Sequence, residues 1–174
     1  VPLKNAPSES AANVPFVRRA IAPPVRRYTT PHTLSPRAHL LSNGSYTVMV
    51  TNAGGGYSRR QQLAMTRWRE DITSDAWGSF VFVRDLDSGE AWSTTHQPTG
   101  RDAEEYEATF SLDRAVWRRV DAGLETRTEV VVSPEDDAEL RRVSITNHSH
   151  HVRSLDLTSY AEVVLAPQNA DLAH

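Results

Sequence analysis

The sequence contains no cysteine. Disulfides are therefore excluded, and so is any chemistry that needs a thiolate as nucleophile or metal ligand. The lack fits a reducing compartment, though exported proteins also dispense with cysteine. Long apolar runs are missing too. No stretch reaches the ~20 residues that a bilayer-spanning helix requires, and the N-terminus carries no apolar signal core. A bias of charge is absent: 19 basic and 22 acidic residues leave a formal charge of -3. Nothing in that balance attracts a polyanion, so no nucleic acid partner is expected. Finally, no segment shows the apolar stripe of an amphipathic helix.

What is present begins with proline. Pro2, Pro7, Pro15, Pro23, Pro24, Pro31 and Pro36 interrupt the first 38 residues. Proline removes a backbone donor and breaks helices and central strands, so residues 1–38 read as a linker. The pairs Arg18-Arg19 and Arg26-Arg27 also suit docking on a partner domain or an anionic lipid surface.

Residues 39–174 change character, to a period of two. Tyr46, Val48 and Val50 alternate with Thr47, Met49 and Thr51. Ser79 to Leu86 is apolar on both faces, as for a strand buried on both sides. Tyr106, Ala108, Phe110 and Leu112 form one face of a further strand. Asp121-Ala122-Gly123 marks a hairpin between 114–120 and 124–133. Another strand is expected over 139–147, and one long strand over 151–165. Regular strands separated by turn residues predict an antiparallel β-sandwich. The long last strand, with no closing element after it, points to an incomplete sheet within a larger β domain. A chain of 174 residues suits one domain of ordinary size.

The chemistry concentrates at 41–69. Gly54, Gly55 and Gly56 are consecutive. Such a run serves either a tight turn or a ligand that approaches the main chain. Tyr57, Trp68, Trp77 and Trp92 offer faces for stacking on sugar C–H groups. Arg67, Arg69, Asp71 and Asp75 offer paired hydrogen bonds to hydroxyls. Equally, each aromatic suits a core. A phosphate loop is excluded, because Gly56 is followed by Tyr57-Ser58 rather than Lys-Ser/Thr and a helix. His148, His150 and His151 cluster, but no carboxylate stands at a metal-ligand spacing, and no metal site is expected. Glu104-Glu105 and Asp136-Asp137 read as solvated turn charge rather than a catalytic carboxylate pair. No nucleophile-elbow motif supports a Ser-His-Asp triad. No catalytic residue is expected within the chain.

Several motifs agree in order with one known family. LSNGSYTVMVTNAGGGYS, MTRWREDITSDAWGSFVFVRDLDSGEAWSTTHQPTG, ETRTEVVVSPEDDAELRRVSITNHS and LTSYAEVVLAP resemble the N-terminal β domain of glycoside hydrolase family 94, formerly glycosyltransferase family 36. The resemblance covers about residues 38–170. It is nearest to the phosphorylase-like region of cyclic β-1,2-glucan synthases, with cellobiose and chitobiose phosphorylases more distant. It implies an all-β, antiparallel supersandwich of galactose-mutarotase-like type, followed in the family by a helical linker and an (α/α)6 barrel. That barrel carries the general acid, and inorganic phosphate is the co-substrate of an inverting phosphorolysis. No other cofactor is implied.

By this resemblance the chain is a non-catalytic piece of a glucan synthase or phosphorylase. Its expected partners are a β-glucan or oligosaccharide, the downstream barrel and a second copy in a homodimer. A membrane-embedded parent would place it at the cytoplasmic side of the bacterial inner membrane. Gly54, Gly55, Gly56, Tyr57, Ser58, Arg67 and Trp68 match family motif positions, and a role in shaping the glucan site or an interdomain contact is carried to them. A stand-alone carbohydrate-binding module and a purely structural buttress remain as alternatives.

Overall fold

The computed structural model describes residues 24–69 and 75–172. Asp71 and the Arg18-Arg19 pair lie outside the described residues. The fold is all-β and antiparallel, as expected, and the described residues form three sheets. The first joins β1 (Arg26–Tyr28), β8 (Glu105–Phe110), β9 (Ala115–Asp121), β10 (Leu124–Val132) and β11 (Glu139–Asn147), in that order. The second joins β13 (Val163–Pro167), β5 (Leu63–Thr66), β4 (Gly56–Arg60), β3 (Tyr46–Thr51) and β2 (Ala38–Ser42). The third is small, with β12 (Leu155–Ala161), β6 (Ser79–Asp85) and β7 (Ala91–Ser93). A short helix, α1 (Gln168–Leu172), follows β13. Among the described residues no helix is long and apolar enough to cross a membrane.

The period of two decides which side chains meet. Ala115, Trp117, Arg119 and Asp121 on β9 all turn inward, and so do Leu124, Thr126, Thr128 and Val130 on β10. Leu41, Tyr46, Val48 and Val50 of the second sheet pack against Ala108, Phe110, Ala115, Trp117 and Val130 of the first. A smaller cluster joins Val83 and Trp92 of the third sheet to Leu124. The first sheet is thus one layer, and the other two sheets share the opposite layer. The β9–β10 hairpin turns on Ala122 and Gly123, with φ of 48° and 77°. Two left-handed residues in sequence match the right-handed twist of the strands they join.

The structure departs from expectation in three places. The long strand over 151–165 is two strands in different sheets: β12 pairs with β6, and β13 pairs with β5. The break falls at Glu162, whose carbonyl accepts the Arg67 N–H at 2.8 Å. Alternation continues through the break, so a period cannot reveal a change of sheet. Second, β6 is not fully buried on either face: Phe80 is buried but Phe82, on the same face, is partly exposed, and Val83 is buried but Val81, on the other face, is partly exposed.

Third, part of the segment expected as a linker is built into the fold. β1 pairs with β8, with Arg27 opposite Thr109. Residues 30–37 are held by Asn52, which is fully buried. Its Nδ2 donates to the Thr30 and Pro31 carbonyls at 3.2 Å. Its Oδ1 accepts the Arg37 N–H at 2.9 Å. Prolines do not prevent this, because an edge strand and a loop satisfied by one side chain leave few backbone donors to pair.

Candidate functional site

The turn between β3 and β4 organises its surroundings from below. Asn52 sends its side chain to the 30–37 loop, while its carbonyl accepts two side chains of the first sheet. Tyr106 Oη–H donates to it at 2.6 Å and Trp117 Nε1–H at 3.1 Å. The three glycines that follow are buried. A Cβ at Gly54, where φ is +99°, would lie 2.3 Å from the Thr95 side chain. One at Gly55 would lie 2.0 Å from Asp75 Oδ1. One at Gly56, where φ is +153°, would lie 2.0 Å from the Met49 carbonyl oxygen. The Gly56 N–H is already used, donating to the Trp77 carbonyl at 2.7 Å. Of the two roles open to this run, the structure displays the tight turn: protein atoms occupy the space that a ligand would need.

Tyr57 and Trp68 do meet. Their rings contact edge to face, with centroids 5.3 Å apart and planes at 60°. The Arg59 guanidinium stands 5.8 Å from the Tyr57 ring centroid. Together with Ser58, Gln61, Gln62 and Asn169 they line a cleft of about 230 Å³. β4 and β5 supply its floor, the Gln61-Gln62 turn one wall, and the β13–α1 junction the other. Gln61 adopts φ of 52°, which lets the two glutamines make a two-residue turn. Aromatic rings beside amide and guanidinium groups can stack on one face of a ligand and hydrogen-bond to its edge.

The other expected residues are placed elsewhere. Arg67 pairs with Glu162 at 3.1 Å, bracing the point where the chain passes from the third sheet to the second. Trp92 is fully buried, with the Arg101 guanidinium 5.4 Å from its ring centroid, so it presents no face to a ligand. Asp75 accepts from Thr51 Oγ1. Burial raises its carboxyl to about 6, against the lowering effect of the Thr51 and Gly55 hydrogen bonds. His148 and His151 are exposed, and His148 lies 3.6 Å from Glu125.

Three arrangements have no sequence signal, because their members are distant along the chain or ordinary in type. Arg119 and Asp121 form a buried, two-pronged ion pair at 2.6 and 2.7 Å, and Arg119 also donates to the Thr95 carbonyl at 2.6 Å. Glu129 accepts from Arg114, Arg127 and Arg142. Burial pushes its carboxyl up, but the three guanidiniums outweigh that and hold it at about 2. His32, His96 and Asp102 converge beside a second cleft of about 380 Å³.

Fold and turn together define an antiparallel β-supersandwich domain. Over residues 22–174 the chain matches the supersandwich domain of glycosyl hydrolase 94, and it belongs to that family. It is 38% identical over 154 residues to the cyclic beta-(1,2)-glucan synthase NdvB of Rhizobium meliloti, covering 88% of this chain and 5% of that protein. It is 29% identical over 139 residues to the N,N'-diacetylchitobiose phosphorylase of Vibrio proteolyticus, covering 77% of this chain and 17% of that one. A 3-O-beta-D-glucopyranosyl-beta-D-glucuronide phosphorylase of Paenibacillus borealis is 28% identical over 132 residues, with 74% and 16% covered. The chain therefore spans a small part of the relatives it matches.

Proposed function

We propose that this domain is the non-catalytic β-sandwich portion of a cyclic β-1,2-glucan synthase or a related inverting glycoside phosphorylase, and that it offers the Tyr57–Trp68 cleft to a β-glucan. The observation that carries the reading is the cleft itself: two aromatic rings in contact, flanked by Arg59, Gln61, Gln62 and Asn169. Two rings with planar polar neighbours complement the apolar face and hydroxyl edge of a pyranose. The glycine run contributes by setting the course of β4 from beneath, and Arg67 by anchoring the β12–β13 passage, rather than by contact with sugar.

A role in assembly has separate support. Leu157, Val163 and Leu165 are 56%, 66% and 56% exposed on β12 and β13. Exposed apolar side chains on these two edge strands suit burial by the chain that lies beyond this region in its longer relatives, or by a second copy.

Calorimetry with β-1,2-gluco-oligosaccharides tests the sugar reading. Saturable binding is expected, weakened about tenfold by Tyr57→Ala or Trp68→Ala, which corresponds to about 1.4 kcal/mol. No heat with the unaltered chain at millimolar sugar would refute it and leave the assembly role. Phosphorolysis of these oligosaccharides by the chain alone would refute the non-catalytic assignment.

A further inference from the structure

We infer that His32, His96 and Asp102 form a binding site for one divalent transition-metal ion of the zinc class, which ties the 30–37 loop to the loop after β7. One ligand atom from each residue lies within 4.8 Å of the other two. His32 Nε2 is 2.6 Å from Asp102 Oδ1, and His96 Nδ1 is 3.6 Å from the same oxygen. The two imidazoles meet edge to face, with centroids 4.9 Å apart. Two histidines and a carboxylate are a donor set that zinc accepts, at ~2.0–2.2 Å from each atom.

A second observation points the same way. His96 is only 8% exposed, and its Nδ1 is buried without a hydrogen-bond partner. A buried ring nitrogen without a partner is costly, and 3.6 Å is too long for Asp102 to relieve it. An ion between the three residues would occupy that lone pair. Ligand atoms of a tetrahedral site stand ~3.4 Å apart, so His96 Nδ1 already stands at a suitable distance from Asp102 Oδ1, whereas His32 Nε2 and Asp102 Oδ1 must give up their hydrogen bond and separate by about an ångström to admit the ion. The movable members are the exposed ones: the His32 and Asp102 side chains are 60% and 72% accessible, while His96 is held in place. The adjoining cleft leaves room for water as a further ligand.

The site is built only by folding. His32 and Asp102 are 70 residues apart in sequence, and Asn52 holds the loop that carries His32. An ion bound there stabilises the folded state alone.

Titration of the metal-stripped chain with ZnCl2 by calorimetry, and with Co2+ followed by its visible absorption, tests the site. One equivalent is expected to bind and to raise the melting temperature. His32→Gln and Asp102→Asn, both at exposed positions, should each weaken binding at least ~10-fold and remove the thermal shift, with far-ultraviolet circular dichroism unchanged. The His150→Gln, His151→Gln double variant should bind as the unaltered chain does. The assignment is overturned if no saturable binding occurs, if binding survives His32→Gln and Asp102→Asn, or if it disappears in the His150/His151 variant.

Discussion

Replacing Gly56 by alanine separates the two roles that a glycine run can have. At this residue φ is +153°, and an added Cβ would sit 2.0 Å from the Met49 carbonyl oxygen and 3.0 Å from the Val50 Cα. Both obstacles are backbone of the neighbouring strand β3, so no side chain can rotate away. The unfavourable dihedral costs about 1–3 kcal/mol. Forcing the strands apart costs about 1–3 kcal/mol more. A total of roughly 2–6 kcal/mol is a large part of the ~5–15 kcal/mol that holds a domain together.

Gly44 supplies the control. It also has positive φ, +98°, but nothing lies within 4 Å of its added Cβ. Gly44→Ala should therefore cost only the dihedral term, about 1–2 kcal/mol. Urea denaturation with linear extrapolation measures both, provided the slopes stay equal. If Gly56→Ala costs no more than Gly44→Ala, the packing argument fails. If it spares stability and abolishes glucan binding, the glycines face a ligand after all.

Two further outcomes follow from buried charge. Asp75 is raised from 3.8 to about 6, so the folded state holds its proton more tightly than the unfolded state does. Ionising it therefore costs stability: the loss is absent below about pH 4, grows up to about pH 6 and is constant above, reaching about 2–3 kcal/mol. Asp75→Asn should remove that slope, visible as the difference between the two urea-midpoint profiles from pH 4 to 8, and identical profiles would contradict the burial of this carboxyl. Asp121→Asn leaves the fully buried Arg119 without its counter-charge, at a cost of about 3–5 kcal/mol in the same assay; a loss below 1 kcal/mol would mean that the guanidinium is hydrated.

The β elements were legible because alternation is a local property. β10 and β11 coincide closely with expectation, since each has a clean period and the turn between Asp121 and Leu124 is written in Ala122-Gly123. β1 was illegible: three residues among prolines have no period, and they become a strand only because β8 offers a free edge. The single strand expected over 151–165 failed for the opposite reason, since its alternation is sound but its partner changes at Glu162. At the candidate site, Tyr57 and Trp68 could be picked out of the sequence as aromatic candidates by residue type alone. Their contact, and the contribution of Gln61, Gln62 and Asn169, depends on where β13 returns beside β5.

By itself, the sequence determined a cysteine-free, antiparallel β domain and, through its ordered motifs, the family. Those properties depend on neighbours along the chain: alternation selects a buried face, and turn residues select where strands reverse. Tertiary structure alone decided that the glycines are packed, that Arg119 meets Asp121 inside the sandwich, and that His32 reaches His96 and Asp102. Each of these depends on which strands become neighbours, and that is settled by the packing of two layers rather than by any local pattern.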